Sequence, residues 1–226
     1  VGVVISTTLP ENFEKMANGP ELISAQLINV LAEFHQVDYS ALGLDDLGKP
    51  EGFLQRQVRG WKNRWDKAKH EDLPAVENIY NWLSENIPET KNYSIIHNDY
   101  KLDNVMYNTN DPGKLIAVFD WDMCTLGDSL CDLGSLLSYW CTTSDPVFFQ
   151  KAASMPIDDR FYSREQLVLQ YAEMTGFDIS NIRFYHVLGL YRLIGIAAQI
   201  YIRFLRGQTQ DKRFAIFGNM INLVSE

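Results

Sequence analysis

Residues 95–107 read Ile-Ile-His-Asn-Asp-Tyr-Lys-Leu-Asp-Asn-Val-Met-Tyr, and residues 115–122 read Leu-Ile-Ala-Val-Phe-Asp-Trp-Asp. Two short apolar runs each end in acidic or amide side chains. The run Tyr93–Ile96 leads into His97, Asp99 and Asn104, and Leu115–Phe119 leads into Asp120 and Asp122. Between them, Asn108–Gly113 (Asn-Thr-Asn-Asp-Pro-Gly) is turn chemistry. The pattern predicts a β-hairpin of Asn104–Tyr107 with Lys114–Phe119, whose ends bring Asp99, Asn104 and Asp120 together.

That grouping suits phosphoryl transfer. An attacking hydroxyl needs a carboxylate in hydrogen-bond reach to orient it and accept its proton, a role open to Asp99. A divalent cation between phosphate oxygens needs hard oxygen ligands, which Asn104 and Asp120 offer. His-x-Asp with an Asn five residues after the Asp is the spacing of kinase catalytic loops, and a strand-borne Asp follows.

Outward from this stretch lie Gly127-Asp128, Asp132-Leu133 and the upstream Leu47-Gly48-Lys49-Pro50-Glu51-Gly52-Phe53-Leu54-Gln55-Arg56-Gln57-Val58. With His97–Asn104 and Val118–Asp122, these resemble the aminoglycoside phosphotransferase family of protein-kinase-like enzymes. The branch most resembled is the one associated with acyl-CoA dehydrogenases. The resemblance implies an α+β fold: a mostly helical C-terminal lobe with short β-hairpins at the active site. It implies transfer of the γ-phosphate of ATP, with Mg2+, to a small-molecule hydroxyl, with a hydroxyacyl-CoA as one candidate acceptor. Asp99 would be the base and Asn104 and Asp120 the metal ligands. Lys101 is a candidate for the phosphoryl oxygens and Asp122 for a second metal. His97 and Asp132 would support the site, Asp132 by bracing the catalytic-loop backbone.

Composition sets outer bounds. The 226 residues suffice for one lobe with a proper core, and 46% hydrophobic with 22% charged residues is ordinary for a globular protein. A net charge of −9 argues against nucleic acid or an anionic membrane as partner. Cys124, Cys131 and Cys141 lack metal-ligand spacing and fit a reducing cytoplasm, the expected location. No Gly-rich phosphate loop precedes the motif, so residues 1–226 are expected to be the C-terminal lobe alone, without its N-terminal ATP-binding lobe. On that expectation the chain alone binds ATP weakly and transfers no phosphate. The apolar Val1–Ile5 run, within a stretch to Ser6 that reads as a short strand or the hinge, has no partner before it and should then expose a surface through which a homodimer could form.

Helical periodicity predicts helices from Gly19, over Pro50–Lys69, Ala75–Asn86, Ser163–Thr175, Ile182–Phe204 and Phe214–Val224, with a short one in Pro146–Met155. Asp128 is the expected N-cap of a further helix through Trp140, and Pro10–Asn18 is an expected loop. The Pro50–Lys69 helix carries six basic residues over two tryptophans, a solvated face or a platform for an anionic substrate. Arg183, Arg192 and Arg203 mark Ile182–Phe204 as a core helix rather than a membrane span.

Two rivals remain open. Val118–Leu126 resembles the first motif of haloacid-dehalogenase-type phosphatases, with Asp120 as nucleophile, but that fold needs strand–helix alternation not seen after Asp128. A non-catalytic, kinase-shaped binding module is the other, and an intact Asp99, Asn104 and Asp120 argue against it.

Overall fold

The computed structural model describes residues 1–225. Helix α1 (Glu11–Glu14) is followed by α2 (Gly19–His35), α3 (Phe53–Ala68) and α4 (Pro74–Glu85). Strand β1 (Gly2–Val3) precedes them, and β2 (Tyr93–Ile96), β3 (Val105–Asn108), β4 (Asp111–Val118) and β5 (Thr125–Asp128) follow. The chain then continues through α5 (Leu130–Tyr139), α6 (Val147–Ala152), α7 (Arg164–Thr175), α8 (Ile182–Leu205) and α9 (Ile216–Ser225). Short 3-10 turns occupy Leu102–Asn104, Trp121–Met123 and Lys212–Ala215. This is the α+β, mostly helical architecture expected from the sequence.

The apolar spacing explains the packing. α2 turns Ile23, Leu27, Ile28 and Leu31 inward, and α3 turns Leu54, Val58, Trp61 and Trp65 inward. α8 is the central helix, packed by α3, α4, α5 and α9. It is long and apolar enough to cross a membrane by length and composition. Its packing instead makes it the core helix. α5 crosses α8 closely because Gly134 faces the Tyr185 carbonyl and Gly189 faces Ser138 and Gly134. α7 begins in a capping box between Ser163 and Gln166 and stops at Gly176, which takes the left-handed conformation.

Two small antiparallel sheets frame the site. β1, β3 and β4 form one, with Val105 opposite Val118, and β2 pairs with β5, with Ile95 opposite Leu126.

Four sequence expectations change. The hairpin turn is Thr109–Asn110 alone, so its strands are Val105–Asn108 and Asp111–Val118 rather than Asn104–Tyr107 and Lys114–Phe119. The Asn108 carboxamide accepts from the Asn110 amide (2.9 Å) and Asp111 from Gly113 (2.9 Å), which turns the chain early and leaves Pro112 in an irregular stretch of β4. Thr125–Asp128 is a strand, and Ser129 is the N-cap of α5. Asp128 still accepts from the Leu130 amide at 3.0 Å. Glu11–Glu14 is a helical turn inside the expected loop. The Val1–Ile5 run has a partner: Gly2 and Val3 pair with Asn108 and Tyr107, and Ile5 is fully buried, although Val1 and Val4 are exposed.

Candidate active site

β2 delivers His97, Asn98 and Asp99 at the edge of the helical body. The Asp132 carboxylate, fully buried near the start of α5, accepts from the His97 amide (2.6 Å) and the Asn98 amide (2.7 Å). Its Oδ2 also lies 3.3 Å from His35 Nε2, and His35 Nδ1 lies 2.7 Å from the Tyr171 hydroxyl. One carboxylate on α5 thus ties the loop to α2 and α7. Asn98 takes the left-handed conformation (φ 66°), which Asn tolerates better than most residues, and its Nδ2 donates to the Met123 carbonyl at 2.8 Å.

His97 links the two predicted segments. Its Nε2 lies 2.7 Å from the Phe119 carbonyl, and its Nδ1 is 3.2 Å from the Asp99 amide. A carbonyl can only accept, so the ring proton sits on Nε2 and Nδ1 accepts from Asp99.

Asp99 has two unlike oxygens. Oδ2 takes Asn104 Nδ2 at 3.0 Å and the Lys101 ammonium. Oδ1 has no hydrogen-bond partner among the described residues, and Arg192 Nη2 stands 4.0 Å away. Burial works against the Lys101 ammonium. Its bond to Asp99 and the charges of Asp99 and Asp103 outweigh this and hold it above the usual lysine value. The same ammonium lies 5.2 Å from the centre of the Tyr139 ring. Burial, and then the Asp99 charge, push the Tyr139 hydroxyl above its usual range.

Asn104 and Asp120 come together through the backbone. The Phe119 amide donates to the Asn104 carbonyl at 2.8 Å, and Asp120 follows immediately. Asp120 is exposed and left-handed (φ 60°), so its side chain leaves the line of β4. Asn104 commits its nitrogen to Asp99, which leaves its amide oxygen as the end for a cation. Among the described residues no group of three His, Cys, Asp or Glu side chains is placed to hold a metal. Two oxygen donors suit Mg2+, which completes its shell with phosphate oxygens and water. Asp122 is exposed on the Trp121–Met123 turn.

Other features were not visible in the sequence. Arg192 reaches the site from α8, and Tyr139 from the end of α5. Beyond Tyr139 opens a cavity of about 790 Å3 between α5, α6, α8 and α9. Trp140, Phe149, Leu193, Ile196, Phe217 and Met220 give it an apolar wall, with Arg164 and His186 in the lining. Four separate elements build it, so no local spacing signals it.

The profile of the Phosphotransferase enzyme family matches residues 9–163. The chain is 30% identical over 213 residues to acyl-CoA dehydrogenase family member 11 of Rattus norvegicus, covering 90% of this chain and 26% of that protein. It therefore spans about a quarter of that relative's length. Among solved structures, a putative aminoglycoside phosphotransferase from Ralstonia eutropha superposes with a TM-score of 0.84 at 27% identity, over 99% of this chain and 69% of that one. Spectinomycin phosphotransferase, solved with ADP and spectinomycin, shares the fold with a TM-score of 0.54 at 15% identity, over 96% of this chain and 67% of that one. A family profile that matches well over half of this chain, around a loop whose backbone hangs from Asp132, makes the chain a member of the phosphotransferase enzyme family.

Proposed function

We propose that this protein transfers the γ-phosphate of ATP to the hydroxyl of a small molecule. The observation that carries this reading is the division of labour at Asp99: Oδ2 is held by Asn104 and Lys101, and Oδ1 is left for an incoming hydroxyl. Asp99 orients that hydroxyl and takes its proton. Asn104 and Asp120 hold Mg2+, which when bound neutralises charge on the nucleotide phosphates. His97 and Asp132 fix the loop that presents Asp99. The ADP complex of the spectinomycin enzyme supports a nucleotide donor.

The acceptor is a hydroxyacyl-CoA or another small alcohol with an apolar body. An aminoglycoside, being polycationic, would want several free carboxylates. The cavity beyond Tyr139 is instead walled by aromatic and aliphatic side chains, and Asp145, its one acid, is paired with Arg164 at 2.9 Å. The phosphatase alternative fits poorly, because Asp120 follows an antiparallel hairpin strand rather than a strand of a doubly wound parallel sheet.

A screen of the full-length protein with ATP and magnesium against hydroxyacyl-CoA thioesters and simple alcohols tests the reading. Acceptor-dependent ADP release with a phosphorylated product is expected. Hydrolysis of p-nitrophenyl phosphate without nucleotide binding would favour the phosphatase instead.

A further inference from the structure

Arg192 is a largely buried cation with no carboxylate in hydrogen-bond reach. Its side chain is 12% exposed, on a helix whose neighbouring turns are largely apolar. Its Nε is buried and has no hydrogen-bond partner among the described residues. At 4.0 Å, Asp99 Oδ1 lies beyond hydrogen-bond distance from Nη2. A guanidinium keeps its charge in a protein, and burying most of it with only a long ion pair and no hydrogen bond to a carboxylate is costly. Lys101 already serves Asp99 from the other side, so neutralising that carboxylate does not require Arg192.

The surroundings hold the guanidinium in place. Its centre is 5.6 Å from the middle of the Trp61 ring, which also carries Arg64 at 4.5 Å, and Nη2 lies 4.0 Å from Met123 Sδ. α3 thus orients Arg192 toward the loop through Trp61. An oxygen atom can sit about 2.8 Å from both Nη2 and Asp99 Oδ1 when these are 4.0 Å apart.

We infer that Arg192 is a catalytic residue that grips the transferring phosphoryl group beside Asp99, an assignment that rests on the phosphotransfer reading above. A lone pair of the acceptor oxygen forms the new O–P bond to the γ-phosphorus. The bond from that phosphorus to the β,γ-bridging oxygen breaks, and its electron pair leaves on the nucleoside diphosphate. The acceptor proton passes to Asp99 Oδ1. Arg192 donates hydrogen bonds to the γ-phosphoryl oxygens throughout and keeps its protons. Its planar fork suits two such oxygens at once. An arginine supplied in cis plays this part in other phosphoryl-transfer enzymes.

The test uses full-length Arg192→Met, Arg192→Lys and wild type, with magnesium. Calorimetry compares ADP alone with ADP plus aluminium fluoride, a mimic of the transferring phosphoryl group. Wild type should bind the aluminium fluoride complex much more tightly than ADP. Arg192→Met should bind ADP within about two-fold of wild type and lose most of that gain, and turnover should fall about a hundred- to a thousand-fold with KM for ATP little changed. Arg192→Lys should recover part of both. A full gain in Arg192→Met overturns the assignment. So does unfolding of both variants, which would make Arg192 structural. If wild type itself binds no nucleotide, the phosphotransfer reading fails, a result distinct from either.

Discussion

At the residue scale, Asp99 carries the clearest expectation. Asp99→Asn removes the proposed proton acceptor and keeps the shape. In the full-length enzyme it should lower kcat about 10²- to 10⁴-fold and leave nucleotide affinity within about two-fold. Turnover assays beside nucleotide titration check this, and near-normal turnover would take Asp99 out of the role. Asp99 and Asn104 were legible because five residues of one loop fix their separation: Asn104 closes back on the Asp99 carbonyl at 2.8 Å. The bracing by Asp132 was legible from the motif around it, and the structure supplies the two amide bonds behind it. Arg192 and Tyr139 were illegible as site residues. Each sits on a helix whose own pattern describes only burial, and their approach to Asp99 depends on how α5 and α8 cross.

At the scale of elements, the helices and the central hairpin were legible within a few residues and β5 was not. α2, α3, α7 and α8 carry apolar faces over three turns or more, so periodicity finds them within a few residues. β5 is four residues, Thr-Leu-Gly-Asp, with two poor strand formers, and only its pairing with β2 makes it a strand. The α5–α8 crossing depends on glycine. A methyl at Gly134 would collide with the Tyr185 backbone carbonyl, which cannot swing aside as a side chain could. Gly134→Ala should therefore destabilise the protein by about 1–3 kcal/mol in urea unfolding, the usual cost of overpacking. Because Asp132 lies on α5 and Arg192 on α8, activity should fall further than the folded fraction alone explains.

For the whole molecule, acid is the informative stress. Burial, reinforced by the Arg164 charge, pushes the His186 ring down to about 4 from an ordinary 6.5. Between those values the unfolded chain binds a proton that the folded chain refuses. Stability is therefore full above about pH 6.5 and is lost progressively as pH falls through about 4. Chemical denaturation at stepped pH should show this decline, and His186→Gln should flatten it by about one proton. An unchanged slope in the variant would place the acid sensitivity elsewhere. His186 also lies in the wall of the large cavity, so an occupant that contacts the neutral ring should keep its affinity down to about pH 4 and weaken only below it.

The buried Asp132 carboxylate has a mechanical consequence. Asp99 follows directly on amides clamped to α5, and through His35 and Tyr171 to α2 and α7. Asp120 and Asp122 instead sit on an exposed turn at the end of a hairpin. Asp99, the proposed proton acceptor, is thus tied to three helices, and the proposed cation-side residues Asp120 and Asp122 are not. Hydrogen exchange should separate the two, with the His97 and Asn98 amides opening only as the whole molecule unfolds and those of Asp122 and Met123 exchanging quickly. On the proposed function, nucleotide binding and release would flex the hairpin side while the Asp99 carboxylate stays fixed.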